Sequence, residues 1–399
     1  MKRIFLLAMC RFPHGDAPAN RVLALAKSLA AAGYAPFVIG NGVRVGLPEG
    51  DEVHGIPFST IRRRKDSFLA RLRNRIFPTL AFARQARRQG VADADCVYVT
   101  LGTLTLGLKV LCRFVWRKPL IVDCMEWFEA SQFTLRRLSP TYLHFMFKFR
   151  VLCRTGHVVG ISSLLCREFT RRGCSVLYLP PQVDLDQFPT DRAAPASGRI
   201  ELFYGGTASR KDHIGTALEG LRALSADERR RVRLTLAGPS MAELASSVSG
   251  GARALDEMAD SLRVVGRISR DEVLGHLSRS HFSILLRPPT RYAMAGFPSK
   301  IPESLAAGTP PILNLTSDLG SFLRDGDNCI VVEDCSPEAF ARGLRRAIAL
   351  SADDLVRLSR NARACAQSSF DYRADLPEIG AFIAKTIELA NQGEGVLQR

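Results

Sequence analysis

Short apolar runs alternate with amphipathic stretches along nearly the whole chain, and this alternation restricts the fold more than any other feature. Strands joined by helices run parallel, so the pattern predicts parallel α/β sheets covered by helices. Residues 2–8 read as a strand, 20–32 as a helix stopped by Gly33, and 35–39 as a second strand. Further strands are predicted over 96–100, 120–123, 158–161 and 175–179. Pro180-Pro181 and the small, polar run 189–197 then break the pattern, which is how an interdomain linker reads. Strand, loop, helix and strand restart at 200–204, 205–211, 214–224 and 232–237, with later strands at 263–265, 282–286, 309–313 and 330–332. A chain of 399 residues has room for two cores. The predicted domains are 1–188 and 189–370, with 371–399 as a C-terminal helix packing back towards the first domain.

Several classes are disfavoured. The apolar start is cut short by Arg11 and Pro13, so it reads as a buried strand and not as a targeting segment. No run approaches the roughly 20 apolar residues of a membrane span. The 10 cysteines are scattered without a CxxC pair, which argues for buried, reduced thiols and against a zinc site. The net charge of +16 calls for anionic company: nucleic acid, lipid headgroups or phosphorylated substrates. No zinc finger, helix-turn-helix spacing or aromatic RNA-binding motif accompanies it.

A strand–glycine–helix turn offers free N–H groups and a positive dipole end to phosphate. Three segments have that form. The first runs from Arg11 to Arg21 and contains His14 and Gly15; a plain βα connection reads equally well there. The second, Gly205-Gly206 through Arg210-Lys211-Asp212, pairs glycines with cations suited to a diphosphate. The third is Gly296-Phe297-Pro-Ser299-Lys300-Ile-Pro-Glu303, closed by Gly308. Ser299 is predicted to cap this short helix and Glu303 to accept bonds from a ribose diol, or merely to favour the helix dipole.

Together with Ile161-Ser-Ser163, Pro180-Pro-Gln-Val-Asp184, Ala237-Gly238 and Asp325-Gly326, these segments resemble the retaining, GT-B fold glycosyltransferases of family four, especially those that build bacterial polysaccharides and glycolipids. The resemblance spans nearly the whole chain. It implies two Rossmann-like domains facing each other across a cleft, with a nucleotide-sugar donor as co-substrate and no other cofactor or metal. It assigns donor binding to Gly15, Gly206, Arg210, Lys211, Gly296, Phe297, Ser299, Lys300 and Glu303. The family commonly carries an acid eight positions before the ribose-binding one, where this chain has Ala295, and its phosphate-binding arginine falls at Gly206 or Thr207. Two other readings stay open: a nucleotide-sugar 2-epimerase of the same fold, and a non-catalytic donor-binding relative.

In the first half, Asp123-Cys-Met-Glu126 follows a strand, so Glu126 and then Asp123 are candidate catalytic acids, with His14 and His157 as further candidate catalytic groups or as structural histidines. Asp184-Leu-Asp186 reads as structural. Residues 61–90 hold ten cations against Asp66, interleaved with Phe68, Leu69, Leu72, Ile76 and Phe77; residues 133–150 repeat the theme. Such stretches suit an anionic membrane surface, with a solvated helix packed on the sheet as the alternative. The expected setting is the cytoplasmic face of the membrane, peripherally bound, with a lipid-linked or saccharide acceptor and no nucleic acid.

Overall fold

The computed structural model describes residues 1–13, 17–41, 52–61, 78–102, 104–133, 135–152, 156–189, 198–206 and 212–397. The chain divides into two compact units, Met1–Gln182 with Tyr372–Arg399, and Val183–Asp371. The first boundary therefore falls six residues before the predicted 188. The reason is local: Val183 N donates to Phe370 O at 2.7 Å, and Arg363 reaches Phe188 O at 3.4 Å, so residues 183–188 belong with the second core.

The first unit holds strands β1 (Arg3–Leu7), β2 (Ala35–Gly40), β3 (Glu52–Val53), β4 (Ile56–Thr60), β5 (Cys96–Thr100), β6 (Leu120–Cys124), β7 (His157–Gly160) and β8 (Ser175–Tyr178). Their order is β3-β4-β2-β1-β5-β6-β7-β8, parallel throughout apart from the β3–β4 pair. The β3–β4 hairpin was not anticipated, because so short a pair leaves little periodicity to read. Central strands are buried on both faces, so they read as unbroken apolar runs. One face packs the helix Ala17–Ala31 together with Ile379, Phe382, Ile383 and Ile387 of the helix Leu376–Leu397. The other face takes Phe82, Ala83 and Ala86 of the helix Pro78–Arg88, whose Arg84, Arg87 and Arg88 point outwards. That part of the basic stretch thus buries its apolar side in the core; residues 62–77 lie outside the described residues.

The second unit holds β9 (Ile200–Gly205), β10 (Val232–Ala237), β11 (Leu262–Gly266), β12 (Phe282–Leu285), β13 (Pro311–Asn314) and β14 (Ile330–Val332). Their order is β11-β10-β9-β12-β13-β14, all parallel. From β9 the chain winds one way to β11, then crosses back to β12 on the other side of β9. The order therefore reverses between β9 and β12, and in open parallel sheets ligands lodge at the carboxyl ends of strands flanking such a reversal.

Cys10, Cys96, Cys112, Cys124, Cys174 and Cys329 are buried, and the described cysteines are free. Burial pushes the Cys112 thiol up to about 12, which leaves it inert. No described helix is long and apolar enough to cross a membrane.

Candidate functional site

The second unit gathers its charged side chains at the reversal. β9 runs into Gly205 and Gly206, and Gly206 N is held by Ala237 O at 2.9 Å. Asp212, 4% exposed, re-enters just past this turn. Beyond β12, Arg287 is clamped at its backbone: Arg287 N donates to Asn314 Oδ1 at 2.9 Å, and Asn314 Nδ2 donates to Arg287 O at 2.7 Å. The guanidinium is thereby aimed inwards, where its Nε donates to Asp212 Oδ1 at 2.8 Å. Lys300 Nζ reaches the same carboxylate from the opposite side through Oδ2. Tyr204, 1% exposed, completes the group: its hydroxyl donates to Asp212 Oδ2 at 2.9 Å and accepts from Lys300 Nζ at 3.1 Å.

Two cations thus share one carboxylate, which leaves the group with one positive charge in excess. Burial works against the charge of Asp212, but Lys300 and Arg287 outweigh it and hold the carboxyl down at about 2. Burial also pulls the Lys300 ammonium below its ordinary value, with Asp212 opposing. About a third of the Lys300 side chain reaches solvent, yet its ammonium end lies over the Tyr204 ring, 4.5 Å from the centroid. Burial likewise pushes the Tyr204 phenol up, reinforced by Asp212. The lysine lies directly on Gly206: a Cβ there would stand 2.4 Å from Lys300 Cε. A side chain at this position would fill the space that the ammonium occupies.

Lys300 opens the helix Lys300–Ala306, and the approach to it is stiff. Thr290 Oγ1 accepts from Ala293 N at 3.3 Å and caps the helix Arg291–Ala295. Gly296 then runs extended (φ −85°, ψ 169°) into Phe297. The Phe297 ring is buried against Phe322 and Phe370, at centroid distances of 5.9 and 5.8 Å, so it anchors the segment instead of meeting a ligand with its ring. Ser299 differs from expectation. It stands at the cap position in the right-handed helical region, without a side-chain capping bond. Glu303 sits one turn on, and its Oε1 accepts from Arg270 NH1 at 2.8 Å. Ala295 is fully buried.

Of the expected donor residues, the described structure brings Gly206 and Lys300 into contact and sets Glu303 beside Arg270. His14, Gly15, Arg210 and Lys211 lie outside the described residues. Asp212, Arg287, Arg270, Tyr204 and Asn314 had no assigned role in the sequence reading. Arg287 carried a usable signal, since it stands immediately after an apolar strand.

In the first unit the two candidate acids part company. Asp123 is fully buried and takes both Nε and NH2 of Arg21, at 2.8 and 2.9 Å. Arg21 also donates to the carbonyls of Leu179 and Pro180 at 3.1 and 3.2 Å, so the pair ties the helix Ala17–Ala31 to the ends of β6 and β8. Asp123 therefore acts as a structural anchor, its oxygens facing Arg21 and no solvent. Glu126 is half-buried, flanked by Trp127 and Phe128, whose rings pack on Phe149 (4.5 Å) and Phe145 (5.0 Å). His157 is held by Thr386 at 3.1 Å. Asp184 accepts from Asp186 N at 3.2 Å and from Gln187 at 3.0 Å, shaping a turn. Among the described residues no three His, Cys, Asp or Glu converge as metal ligands.

The chain matches solved structures over nearly its full length. Sucrose-phosphate synthase from Thermosynechococcus elongatus superimposes with a TM-score of 0.71 at 17% identity, covering 99% of this chain and 100% of that one. HepE from Anabaena, in complex with UDP and glucose, gives 0.65 at 14% identity, over 97% and 100%. WaaG, a glycosyltransferase involved in lipopolysaccharide biosynthesis, gives 0.66 at 16% identity, over 95% and 99%. The fold is GT-B. Within it, residues 199–349 match the family model described as Glycosyl transferases group 1. That span contains every residue of the Gly206–Asp212–Arg287–Lys300 cluster, together with Arg270 and Glu303. No curated protein sequence matches the chain. In this GT-B chain the charged cluster occupies the strand-order reversal of the second sheet, the place where the fold's topology leaves a ligand crevice.

Proposed function

We propose that the chain is a glycosyltransferase that moves a sugar from a nucleotide-sugar donor to a lipid-linked or saccharide acceptor in cell-surface polysaccharide or glycolipid synthesis. The observation behind this reading is the convergence of Lys300 and Arg287 on one buried carboxylate beside Gly206, at the reversal point of the second sheet. In this reading the donor's diphosphate lies against Gly206 and the two cations, and Glu303 takes the ribose diol, exchanging its bond to Arg270 for sugar hydroxyls. When the bond from the anomeric carbon to the diphosphate breaks, negative charge grows on the departing oxygen. Cations already oriented by Asp212 stabilise that charge without reorganising, which is the largest single contribution to many enzymatic rates. They serve here in place of a divalent cation. The acceptor hydroxyl belongs to the first unit, oriented by Glu126, and the anomeric configuration is retained.

A thermal-shift screen over UDP-, GDP- and ADP-sugars tests the donor. A ligand at a hundred times its Kd adds about 2.7 kcal/mol to the folded state, so one nucleotide should raise the melting temperature while the other two do not. Glu303→Ala should remove most of that rise. A chain indifferent to all three nucleotides would not be a donor-dependent transferase.

The same proposal places the chain peripherally on the cytoplasmic face of the membrane, through residues 61–90 and 133–150. Leu135, Leu138, Leu143 and Phe147 are exposed, as are Arg136, Arg137 and Arg150. Val110, Phe114 and Val115 are exposed too, beside Arg113 and Arg117. Apolar side chains framed by cations suit an anionic interface, each cation adding about 1 kcal/mol near the surface. Vesicles containing phosphatidylserine should therefore sediment the protein at low salt, and Phe114→Ser with Leu138→Ser should weaken binding about tenfold. Equal binding to neutral and anionic vesicles would remove the membrane from the proposal.

A further inference from the structure

β12 and β13 pair in parallel, with Ser283 opposite Pro311, Ile284 opposite Ile312 and Leu285 opposite Leu313. The backbone pairing ends there, two residues short of Arg287. Pro288 and Pro289 follow Arg287 directly and have no N–H to continue a ladder. A proline also biases the residue before it towards extended backbone, so Arg287 runs on past the sheet edge. The Asn314 carboxamide supplies the missing rung. A carboxamide carries one acceptor and one donor group, as a peptide does, and here both are spent on Arg287: its N–H at 2.9 Å and its C=O at 2.7 Å. Asn314 is itself 5% exposed, and its backbone stays in register with Val332 of β14. On the other flank, Leu286 O accepts from His213 N at 2.9 Å, beside Asp212. The root of Arg287 is thus held from β13, and the chain that carries its carboxylate partner is held from β12.

We propose that Asn314 is a positioning residue for the donor's diphosphate, acting through Arg287. The inference rests on the diphosphate binding proposed above for Lys300 and Arg287. A long guanidinium side chain keeps one direction when both its root and its tip are fixed. Asp212 fixes the tip at Nε, and Asn314 fixes the root. With the root released, the guanidinium must be ordered anew each time a diphosphate arrives, at a cost in affinity. Lys300 reaches Asp212 from its own helix, so its contribution does not pass through Asn314.

Isothermal titration of the full chain with UDP, GDP and ADP is the measurement, and the tightest of the three is the probe. Arg287→Met should weaken it about tenfold or more, the usual scale for losing a hydrogen bond from a charged group. Asn314→Ala should weaken it roughly threefold to tenfold, and Asn314→Ser, which keeps one hydroxyl to bond with, should fall between alanine and the parent. The double variant Arg287→Met with Asn314→Ala should bind within about twofold of Arg287→Met alone, because a residue that acts only through Arg287 has nothing left to position. If the alanine variants do not fold, Asn314→Ser alone and with Arg287→Met complete the same cycle. Parent-like binding in the Asn314 variants beside a weakened Arg287→Met, or losses that add in the double variant, would overturn the inference and leave the donor site standing. Parent-like binding in Arg287→Met, or no binding of any of the three diphosphates, would remove Arg287 from the donor site and this role with it.

Discussion

Lys300→Ala should lower kcat/KM for donor-dependent sugar transfer by about 10²–10³-fold, the usual loss when one preorganised charge donor is removed from a transition state. The loss should fall on turnover more than on folding. Asp212 keeps its bond to Arg287 in the variant, so no buried carboxylate is stranded. Lys300→Arg separates charge from shape. A guanidinium remains cationic at any working pH, whereas burial pulls the Lys300 ammonium below its ordinary value. The parent should therefore lose donor affinity on the alkaline side, as the ammonium gives up its proton at a pH below about 10.5, and the arginine variant should lack that limb. Gly206→Ala supplies an independent check. Its new Cβ meets the flexible end of Lys300, so the ammonium must move, and the backbone there, at φ +156°, strains an L side chain. Turnover and melting temperature should both drop. An alanine at 300 that keeps the parent's kcat/KM would dissociate the cluster from catalysis.

The acid side follows from Asp212. Its folded-state carboxyl is held at about 2, below the ordinary value of 3.8. A depressed acid stabilises the folded state above its unfolded value, so this contribution is complete above about pH 4 and is lost as pH falls towards 2.

How far the sequence revealed this site depends on which residues are argued. Alternation of apolar runs disclosed both sheets, because strands buried on two faces show no polar interruption. Gly206 and Lys300 were readable because a glycine after a strand and a lysine opening a helix have a local meaning. Asp212 was quoted only as the neighbour of Lys211. Its importance comes from Arg287, 75 positions away, and from Lys300, 88 positions away; neither separation leaves a periodic trace. Phe297 shows the converse: a motif residue whose ring serves the core. Asp123 shows what a sequence leaves open at a strand end. An acid at a strand end is reached either by substrate or by a neighbouring cation, and only packing decides which.

That pair gives the largest stability effect. Arg21→Met should destabilise the first unit by about 3–5 kcal/mol, because it leaves Asp123 fully buried without its cation. Burial works against the charge of Arg21, yet Asp123 outweighs it and the guanidinium titrates above its ordinary value, so the guanidinium stays charged. At about 2–4 °C per kcal/mol for a unit of this size, calorimetry should show its transition falling by roughly 6–20 °C. The double variant Arg21→Met with Asp123→Leu should recover most of the loss, since replacing both partners of a buried pair with apolar groups is often neutral or stabilising. Asp123→Asn alone should sit between the two, because the amide still accepts from Arg21 but no longer balances its charge. A double variant no more stable than Arg21→Met would mean that the pair's value lies in its bonds to Leu179 and Pro180 and not in charge compensation. A single variant that melts with the parent would show that Asp123 finds another partner and that the helix Ala17–Ala31 needs no ionic tie.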